Sequence, residues 1–142
     1  MDNGDKTILI TRKFIQSHPD WLFIFGDNVL KTGYGGQAKE CRNEPNTFGI
    51  PTKFAPSMNE RDFFTDDFFE AIKIIYDDIF EYMAESKIDK YKNVVIFPRI
   101  GEGLAELPKR APKIYAYLKE KLRALESFLK SVNKLGLVSQ TM

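Results

Sequence analysis

The chain has 142 residues, of which 43% are hydrophobic and 29% charged, and its formal net charge is +1. That length and composition predict a single folded domain over residues 1–142. A nearly neutral charge argues against a general nucleic-acid binder, which usually carries a basic excess.

Metal, disulfide and membrane sites find little support in the sequence. Cys41 is the only cysteine and His18 the only histidine, which excludes an internal disulfide and argues against a metal site built from His and Cys. No apolar run approaches the roughly 20 residues that a membrane helix needs. We therefore expect a cytoplasmic protein without metal, cofactor or membrane contact, and its oligomeric state stays open.

The first half of the chain predicts three strands joined by short connections. Residues 7–14 (TILITRKF) are β-branched and aromatic, which favours a strand, and residues 17–20 predict a turn. Residues 21–25 (WLFIF) form a continuous apolar run, as expected of a strand that is buried on both faces of a parallel sheet. A glycine-rich loop then leads into a short helix from Gln37, and residues 47–53 (TFGIPTK) predict the next strand.

The second half predicts two amphipathic helices with a strand between them. Thr65 is expected to cap a helix that ends near residue 86, because the apolar residues after it recur at helical spacing. Asp66 and Asp67 are expected in the first turn of this helix, where negative charge suits the helix dipole. Residues 93–100 (NVVIFPRI) predict a second buried strand. An apolar stripe over residues 114–132 predicts the last helix, and we expect a loose tail from about residue 134.

Strands that alternate with helices indicate an α/β fold with a mixed, largely parallel sheet and helices on its faces. In such sheets, ligands bind outside the carboxyl ends of the strands. Two apolar strands here run into glycine-bearing loops, of which the second is predicted over residues 101–108. We name the segments around these loops loop one (residues 29–37) and loop two (residues 98–106, which includes the end of the predicted strand). Successive backbone N–H groups in such loops can form an anion-binding concavity, so two loops side by side would suit a diphosphate. Alternatively, the glycines serve only as tight turns.

The residues around the two loops resemble the ligand-binding loops of macrodomains, a family that binds ADP-ribose and its derivatives. FGDNVLKTGYGGQA resembles the first of these loops, and FPRIGEGLAEL resembles the second, whose pattern is Pro-x-Ile-Gly-x-Gly-Leu. The segments GDN, YGGQA and GIPTK are similar to small macrodomain-like proteins of bacteria and phages. The resemblance covers residues 21–118 and implies a macrodomain-like three-layer α/β/α sandwich.

The resemblance also implies roles for the positions that match. Asn28 matches an asparagine that contacts the distal ribose, and residues 33–36 would line that ribose and a phosphate. Residues 100–104 would donate backbone hydrogen bonds to the diphosphate. Many members carry an acidic residue in a Gly-Asp-Ile-Thr segment that recognises adenine. This chain has TRKFIQSH after its first predicted strand, so the resemblance leaves adenine recognition unassigned.

Three residues are candidates for catalysis, namely Asp27, Asn28 and Glu102. Asp27 could act as a general base or orient a water molecule, or it could bond its own loop as an Asx turn. Asn28 could hold a ribose hydroxyl or cap the loop. Glu102 could face Asp27 across a cleft as a second acid or base, or it could be an exposed loop residue.

Charged side chains near the loops are candidate ligand contacts. Lys53 could contact a phosphate as a point charge or could simply be solvated, and the role of Thr52 is equally open. Arg99 could bind a phosphate through two parallel hydrogen bonds, or it could pair with Glu102 or Glu106 and stiffen loop two.

Other residues near loop one complete the predicted site. Gln37 could reach a ligand, whereas Arg42, at the other end of the short helix, is expected to lie outside the site. Phe54 or Phe63 could stack on a base or a ribose. The expected ligand-binding residues are Gly26, Gly33, Tyr34, Gly35, Gly36, Gln37, Thr52, Lys53, Pro98, Arg99, Ile100, Gly101, Gly103 and Leu104.

These observations predict a protein that binds ADP-ribose or a related small-molecule nucleotide between its two loops. The expected reaction is hydrolysis of a terminal phosphate or of an ADP-ribosyl bond. One alternative is a binder without catalysis, which recognises ADP-ribosylated partners or sequesters a nucleotide signal. Another is a structural phage or bacterial protein whose loops bind nothing.

Overall fold

A computed structural model of the protein describes residues 10–136, and every structural statement below concerns those residues. Short 3-10 turns and one π turn, over Met83–Lys87, lie between the regular elements. The helices and strands follow one another in the order α1 (Arg12–Ser17), β1 (Trp21–Asn28), α2 (Ala38–Cys41), β2 (Thr47–Lys53), α3 (Phe69–Tyr82), β3 (Asn93–Ile96), α4 (Leu107–Arg110) and α5 (Pro112–Ser131).

A small parallel sheet with the strand order β2-β1-β3 lies at the centre of the described chain. Its middle strand, β1, places Phe23 opposite Thr47 of β2 and opposite Val95 of β3. Because all three strands run in the same direction, their carboxyl ends meet at one edge. The predicted α/β class is confirmed, and the three described strands are parallel throughout.

The register between β1 and β2 changes at that carboxyl edge. Asp27 lies opposite Pro51, whereas Asn28 lies opposite Lys53, so Thr52 is an extra residue on β2. Irregularities of this kind redirect side chains and occur often next to functional sites. Here the change lies between the two residues that join β1 to loop one.

The core surrounds β1, whose residues 22–25 are all buried. Ile72 and Tyr76 of α3 and Ile114 and Leu118 of α5 are buried as well, and α3 packs against α5. A second contact joins α1 to α2, which in turn packs on β1. The continuous apolar run in the sequence therefore forms the central strand of the sheet, which other elements cover.

The predicted strand over residues 7–14 is wrong for its described part, which is the start of α1. Thr11 is the N-cap of this helix, and its side-chain oxygen accepts a hydrogen bond of 3.1 Å from the Phe14 N–H. The Phe14 ring meets the Phe23 ring edge to face at 6.1 Å, and Ile15 is fully buried. A local cap and two core contacts thus outweigh the β propensity of the segment.

The start of α3 also differs from the prediction. Thr65 precedes a 3-10 turn, and its side chain makes no capping hydrogen bond. The neighbouring Asp66 instead caps α5, because its carboxylate accepts hydrogen bonds of 3.1 Å from the N–H groups of Lys113 and Ile114. The acidic residue therefore stabilises a helix N-terminus as expected, but on a different helix.

The C-terminal end of the described chain pairs with β3. The Val94 N–H donates to the Lys134 carbonyl at 2.8 Å, and the Gly136 N–H donates to the Val94 carbonyl at 2.8 Å. Leu135 thereby forms a parallel bridge with Val94. The rest of the tail that we expect to be loose lies outside the described residues.

Asn46 connects α1 to the sheet by hydrogen bonds from its side chain. It is buried, and its Nδ2 lies 3.0–3.1 Å from the carbonyl oxygens of Ile15, His18 and Trp21. Asn46→Ala would remove one hydrogen bond from each of these carbonyls, although those of Ile15 and His18 keep a backbone donor. We expect it to reduce the free energy of unfolding by about 1–3 kcal/mol in urea denaturation. Asn59→Ala, at an exposed asparagine without a capping bond, should change it by less than about 0.5 kcal/mol. Equal effects of the two variants would contradict this role.

Candidate functional site

A cleft of about 630 Å³ lies at the carboxyl edge of the sheet, between loop one and loop two. Its position follows from the parallel strands, since the residues after β1, β2 and β3 all emerge at that edge. The residues that line it are Gly26, Asp27, Asn28, Thr32, Gly35, Gly36, Gln37, Ala38, Thr52, Lys53, Pro56, Pro98, Arg99, Gly101, Glu102, Gly103, Leu104 and Ala105.

The cleft brings together most of the residues that the sequence nominates. Three nominated residues, Gly33, Tyr34 and Ile100, do not line it. Ile100 is buried in the core, and the exposed Tyr34 accepts a hydrogen bond from Asn43 at its hydroxyl. Sequence reasoning missed the lining residues Thr32, Ala38, Pro56 and Ala105, which flank the glycines or lie in the irregular loop.

Asp27 belongs to a buried ion pair with Arg42. The Arg42 Nη1 and Nη2 atoms lie 2.8 Å and 2.6 Å from the two Asp27 carboxylate oxygens, and each residue is only 8% exposed. The Asn28 N–H also donates to Asp27 Oδ1 at 2.8 Å. Both carboxylate oxygens therefore have donors within the protein, which suits a positioning role better than that of a general base.

The same arginine holds the backbone of loop one. Arg42 Nε donates to the Gly33 carbonyl at 3.0 Å, and Nη2 donates to the Thr32 carbonyl at 3.0 Å. As expected, Arg42 does not line the cleft, but it lies beneath loop one and holds its backbone. No local sequence signal identifies it, because its partner Asp27 is on another element.

Gly49 provides the space for the Asp27 side chain. A Cβ atom on Gly49 would lie 2.5 Å from Asp27 Oδ2 and 2.7 Å from its Cβ. Any larger residue on β2 at this point would push the carboxylate away from Arg42. The glycine in the sequence GIPTK is thus explained by the close approach of a buried side chain.

Asn28 and Gln37 stabilise the two loops. Asn28 Nδ2 donates to the Thr32 carbonyl at 2.9 Å, and its Oδ1 accepts from the Thr32 N–H at 3.4 Å, so this side chain caps loop one. Gln37 Oε1 accepts from the Gly26 N–H at 2.8 Å, and Nε2 donates to the Pro98 carbonyl at 2.8 Å. Gln37 therefore connects the end of β1 with loop two across the cleft.

Both loops carry backbone N–H groups without a protein acceptor. In the part of the chain that the structure describes, the N–H groups of residues 33–36 in loop one and of residues 103–105 in loop two donate to no protein atom. Gly36 and Gly101 have φ angles of +57° and +88°, which few other residues adopt. A run of unpaired N–H groups beside a cleft is the usual form of a backbone anion site.

Lys53 is a buried ammonium group at the same cleft. The residue is 6% exposed, and its Nζ donates to the Ser57 carbonyl at 2.7 Å and lies 4.4 Å from the centre of the Phe63 ring. Among residues 10–136 it forms no ion pair. Burial lowers the pKa of Lys53, since desolvation disfavours the charged form. Phe63 is itself buried beneath Lys53 and is not free to stack on a base.

Glu102 and Thr52 also have protein partners. The Tyr115 hydroxyl donates to Glu102 Oε2 at 2.8 Å, and Lys119 Nζ lies 3.7 Å from the same oxygen. Burial, followed by this hydrogen bond, raises the pKa of Tyr115. Thr52 Oγ1 donates to the Asp27 carbonyl at 3.0 Å. The Thr52 hydroxyl is therefore occupied with the backbone of β1.

The residues that the structure describes include one buried thiol but no cluster of metal-binding side chains. Between Ile10 and Gly136, no group of three or more His, Cys, Asp or Glu side chains is placed to hold a metal ion. Burial raises the pKa of the Cys41 thiol to about 12, so it stays protonated at neutral pH. No helix in this part of the chain combines the length and apolar character that a membrane span requires.

The fold and the site together define a small α/β protein with a loop-bounded cleft at the carboxyl edge of a parallel sheet. The chain belongs to a family of unknown function (DUF7831), whose model matches residues 6–121. That match includes both loops and all three strands. Comparison with curated proteins found no match, and comparison with solved structures found none either.

The Asp27–Arg42 pair can be tested by removing its charges one at a time and together. We expect Arg42→Gln to reduce the free energy of unfolding by about 3–5 kcal/mol, because it leaves the Asp27 carboxylate buried without a cation. Asp27→Asn combined with Arg42→Gln should regain at least half of that loss, since no buried charge remains. Denaturant unfolding of the wild type, both single variants and the double variant measures the coupling. A double variant as unstable as Arg42→Gln would contradict the assignment.

Proposed function

We propose that the cleft binds ADP-ribose or a closely related nucleotide, with the diphosphate between loop one and loop two. The observation that carries this proposal is that Gly35, Gly36 and residues 103–105 line one cleft and that their backbone N–H groups have no acceptor among the described residues. Backbone donors of this kind suit the oxygen atoms of a phosphate chain. The volume of about 630 Å³ lies within the range of small-molecule sites.

The resemblance of the two loops to those of macrodomains supports the same ligand. We propose that the parallel sheet is the centre of a macrodomain-like sandwich and that loop two lies along the diphosphate. Gln37 supports this arrangement because it fixes the distance between Gly26 and Pro98, at the base of the two loops. Asn28, whose side chain bonds Thr32, would act on a ribose by shaping loop one.

Binding without turnover is the function that the side chains favour. Both Asp27 oxygens accept hydrogen bonds from within the protein, which leaves this carboxylate poorly suited to activate water. We therefore propose a protein that recognises ADP-ribosylated partners or sequesters a nucleotide. Hydrolysis is the second candidate, and Glu102 favours it, because this carboxylate lines the cleft and its side chain is 25% exposed.

Calorimetry with ADP-ribose, ADP and AMP tests the proposal, followed by assays for turnover. We expect ADP-ribose and ADP to bind more tightly than AMP, which lacks the diphosphate. Release of phosphate from ADP-ribose 1″-phosphate, or of ADP-ribose from a modified peptide, would establish hydrolysis, and Glu102→Gln should then abolish it. Binding without release would support the binder. If none of the three nucleotides binds, the proposed function is wrong.

Gly103 offers a way to fill the cleft without disturbing the fold. A Cβ atom there would meet no other atom within 4 Å, and the residue lines the cleft. We expect Gly103→Leu to weaken ADP-ribose binding by at least about tenfold, while the melting temperature changes by no more than about 2 °C. Ala116→Leu, on an exposed position of α5, is the matched control and should leave affinity unchanged. Wild-type affinity in Gly103→Leu would place the ligand elsewhere.

A further inference from the structure

We propose that Arg99 determines the specificity of the cleft, by binding a phosphate group of the ligand with its guanidinium group. This inference rests on the proposed function and adds the side chain that would select the charge of the ligand. It follows from the position of Arg99, from the partners of the charged groups around it and from its backbone conformation.

The first observation is the position of Arg99. The residue lines the cleft at the start of loop two, and its side chain is exposed. Its backbone is held from both sides, since the Pro98 carbonyl accepts from Gln37 and the Arg99 carbonyl accepts from the Glu102 N–H at 3.0 Å. The guanidinium therefore belongs to an exposed side chain on a fixed backbone beside the cleft.

The second observation is that the carboxylates able to neutralise Arg99 are engaged elsewhere. The sequence leaves open a pairing of Arg99 with Glu102 or Glu106. Glu102 bonds Tyr115, as described above, and Glu106 Oε1 accepts from Arg110 Nε at 2.9 Å. Within residues 10–136, the Arg99 side chain makes no hydrogen bond or ion pair. All five of its N–H donors are available to a ligand.

The other charged side chains that line the cleft all have partners within the protein. Asp27 is paired with Arg42, the Lys53 ammonium is held by the Ser57 carbonyl, and Glu102 has its own donors. Arg99 is thus the one charged lining residue without a protein partner in the described part of the chain. An unpaired cation beside unpaired backbone N–H groups favours an anionic ligand.

The third observation is the backbone conformation. Arg99 has a φ angle of +52°, in the left-handed region where residues with a Cβ atom are disfavoured and glycine is not. Such conformations are found often at functional sites, where the side chain has a use that outweighs the strain. A glycine would relieve the strain at this position but would remove the guanidinium group.

The guanidinium group indicates which class of ligand Arg99 would bind. A planar guanidinium forms two parallel hydrogen bonds with a phosphate, whereas a lysine offers only a point charge. We therefore assign Arg99 to a phosphate of a nucleoside diphosphate. A neutral nucleoside would gain nothing from this residue.

The test compares Arg99→Gln and Arg99→Lys with the wild type, with ADP-ribose and inorganic pyrophosphate as calorimetric probes. Loss of a charge-assisted bidentate contact should weaken ADP-ribose binding by roughly tenfold to a hundredfold in Arg99→Gln. Arg99→Lys should recover only part of that loss. The salt dependence of the affinity should also decrease in Arg99→Gln, since one charge contact is gone. Lys13→Gln, an exposed position on α1 outside the cleft, is the charge-matched control and should behave as the wild type.

Arg99→Gly separates binding from folding. Its melting temperature should equal or exceed that of the wild type, because glycine adopts the left-handed backbone conformation without strain. It should bind ADP-ribose as weakly as Arg99→Gln does. If Arg99→Gly and Arg99→Gln both bind ADP-ribose with an affinity within twofold of the wild type, this inference is overturned and the proposed function stands. If the wild type binds neither ADP-ribose nor pyrophosphate, both are overturned.

Discussion

The buried ion pair between Arg42 and Asp27 is the interaction on which the cleft depends. Two charges removed from water are tolerated only when their hydrogen bonds are satisfied, and here two further Arg42 donors bond the carbonyls of Thr32 and Gly33. The end of the central strand and the backbone of loop one are therefore held by one side chain. An apolar pair of the same volume could fill this space, but it would not direct the carbonyls of loop one.

The same principle recurs across the described chain. Gln37 connects β1 with loop two, Asn46 connects α1 with β1, and Asp66 caps a helix that is distant in the sequence. In each case a polar side chain satisfies backbone groups of a loop or a helix end. Around the cleft this leaves the loops fixed from below, while the N–H groups of residues 33–36 and 103–105 have no acceptor in the described part of the chain, which is the condition for a preorganised anion site.

Local features of the fold could be predicted from the sequence, and long-range ones could not. The apolar run before loop one became the central strand, and residues 47–53 became β2 as expected. The sequence predicts a strand at the start of α1, because the β-branched residues there favour a strand more strongly than one threonine favours the start of a helix. Asp66 was assigned to its own helix, because nothing near it indicates that α5 packs against it.

The sequence by itself determined the positions of the three sheet strands and of the glycine-rich loops, because apolar periodicity and backbone conformational preference act over a few residues. The strand ends differ from the prediction, since β1 extends to Asn28 and β3 already ends at Ile96. The sequence also indicated that most of the lining residues lie close together, since parallel strands place the loops that follow them at one edge of the sheet. Only the tertiary structure decided which charged groups have partners. Arg42 is paired with Asp27 and Arg99 has no partner among the described residues, because pairing depends on how closely distant segments approach in space.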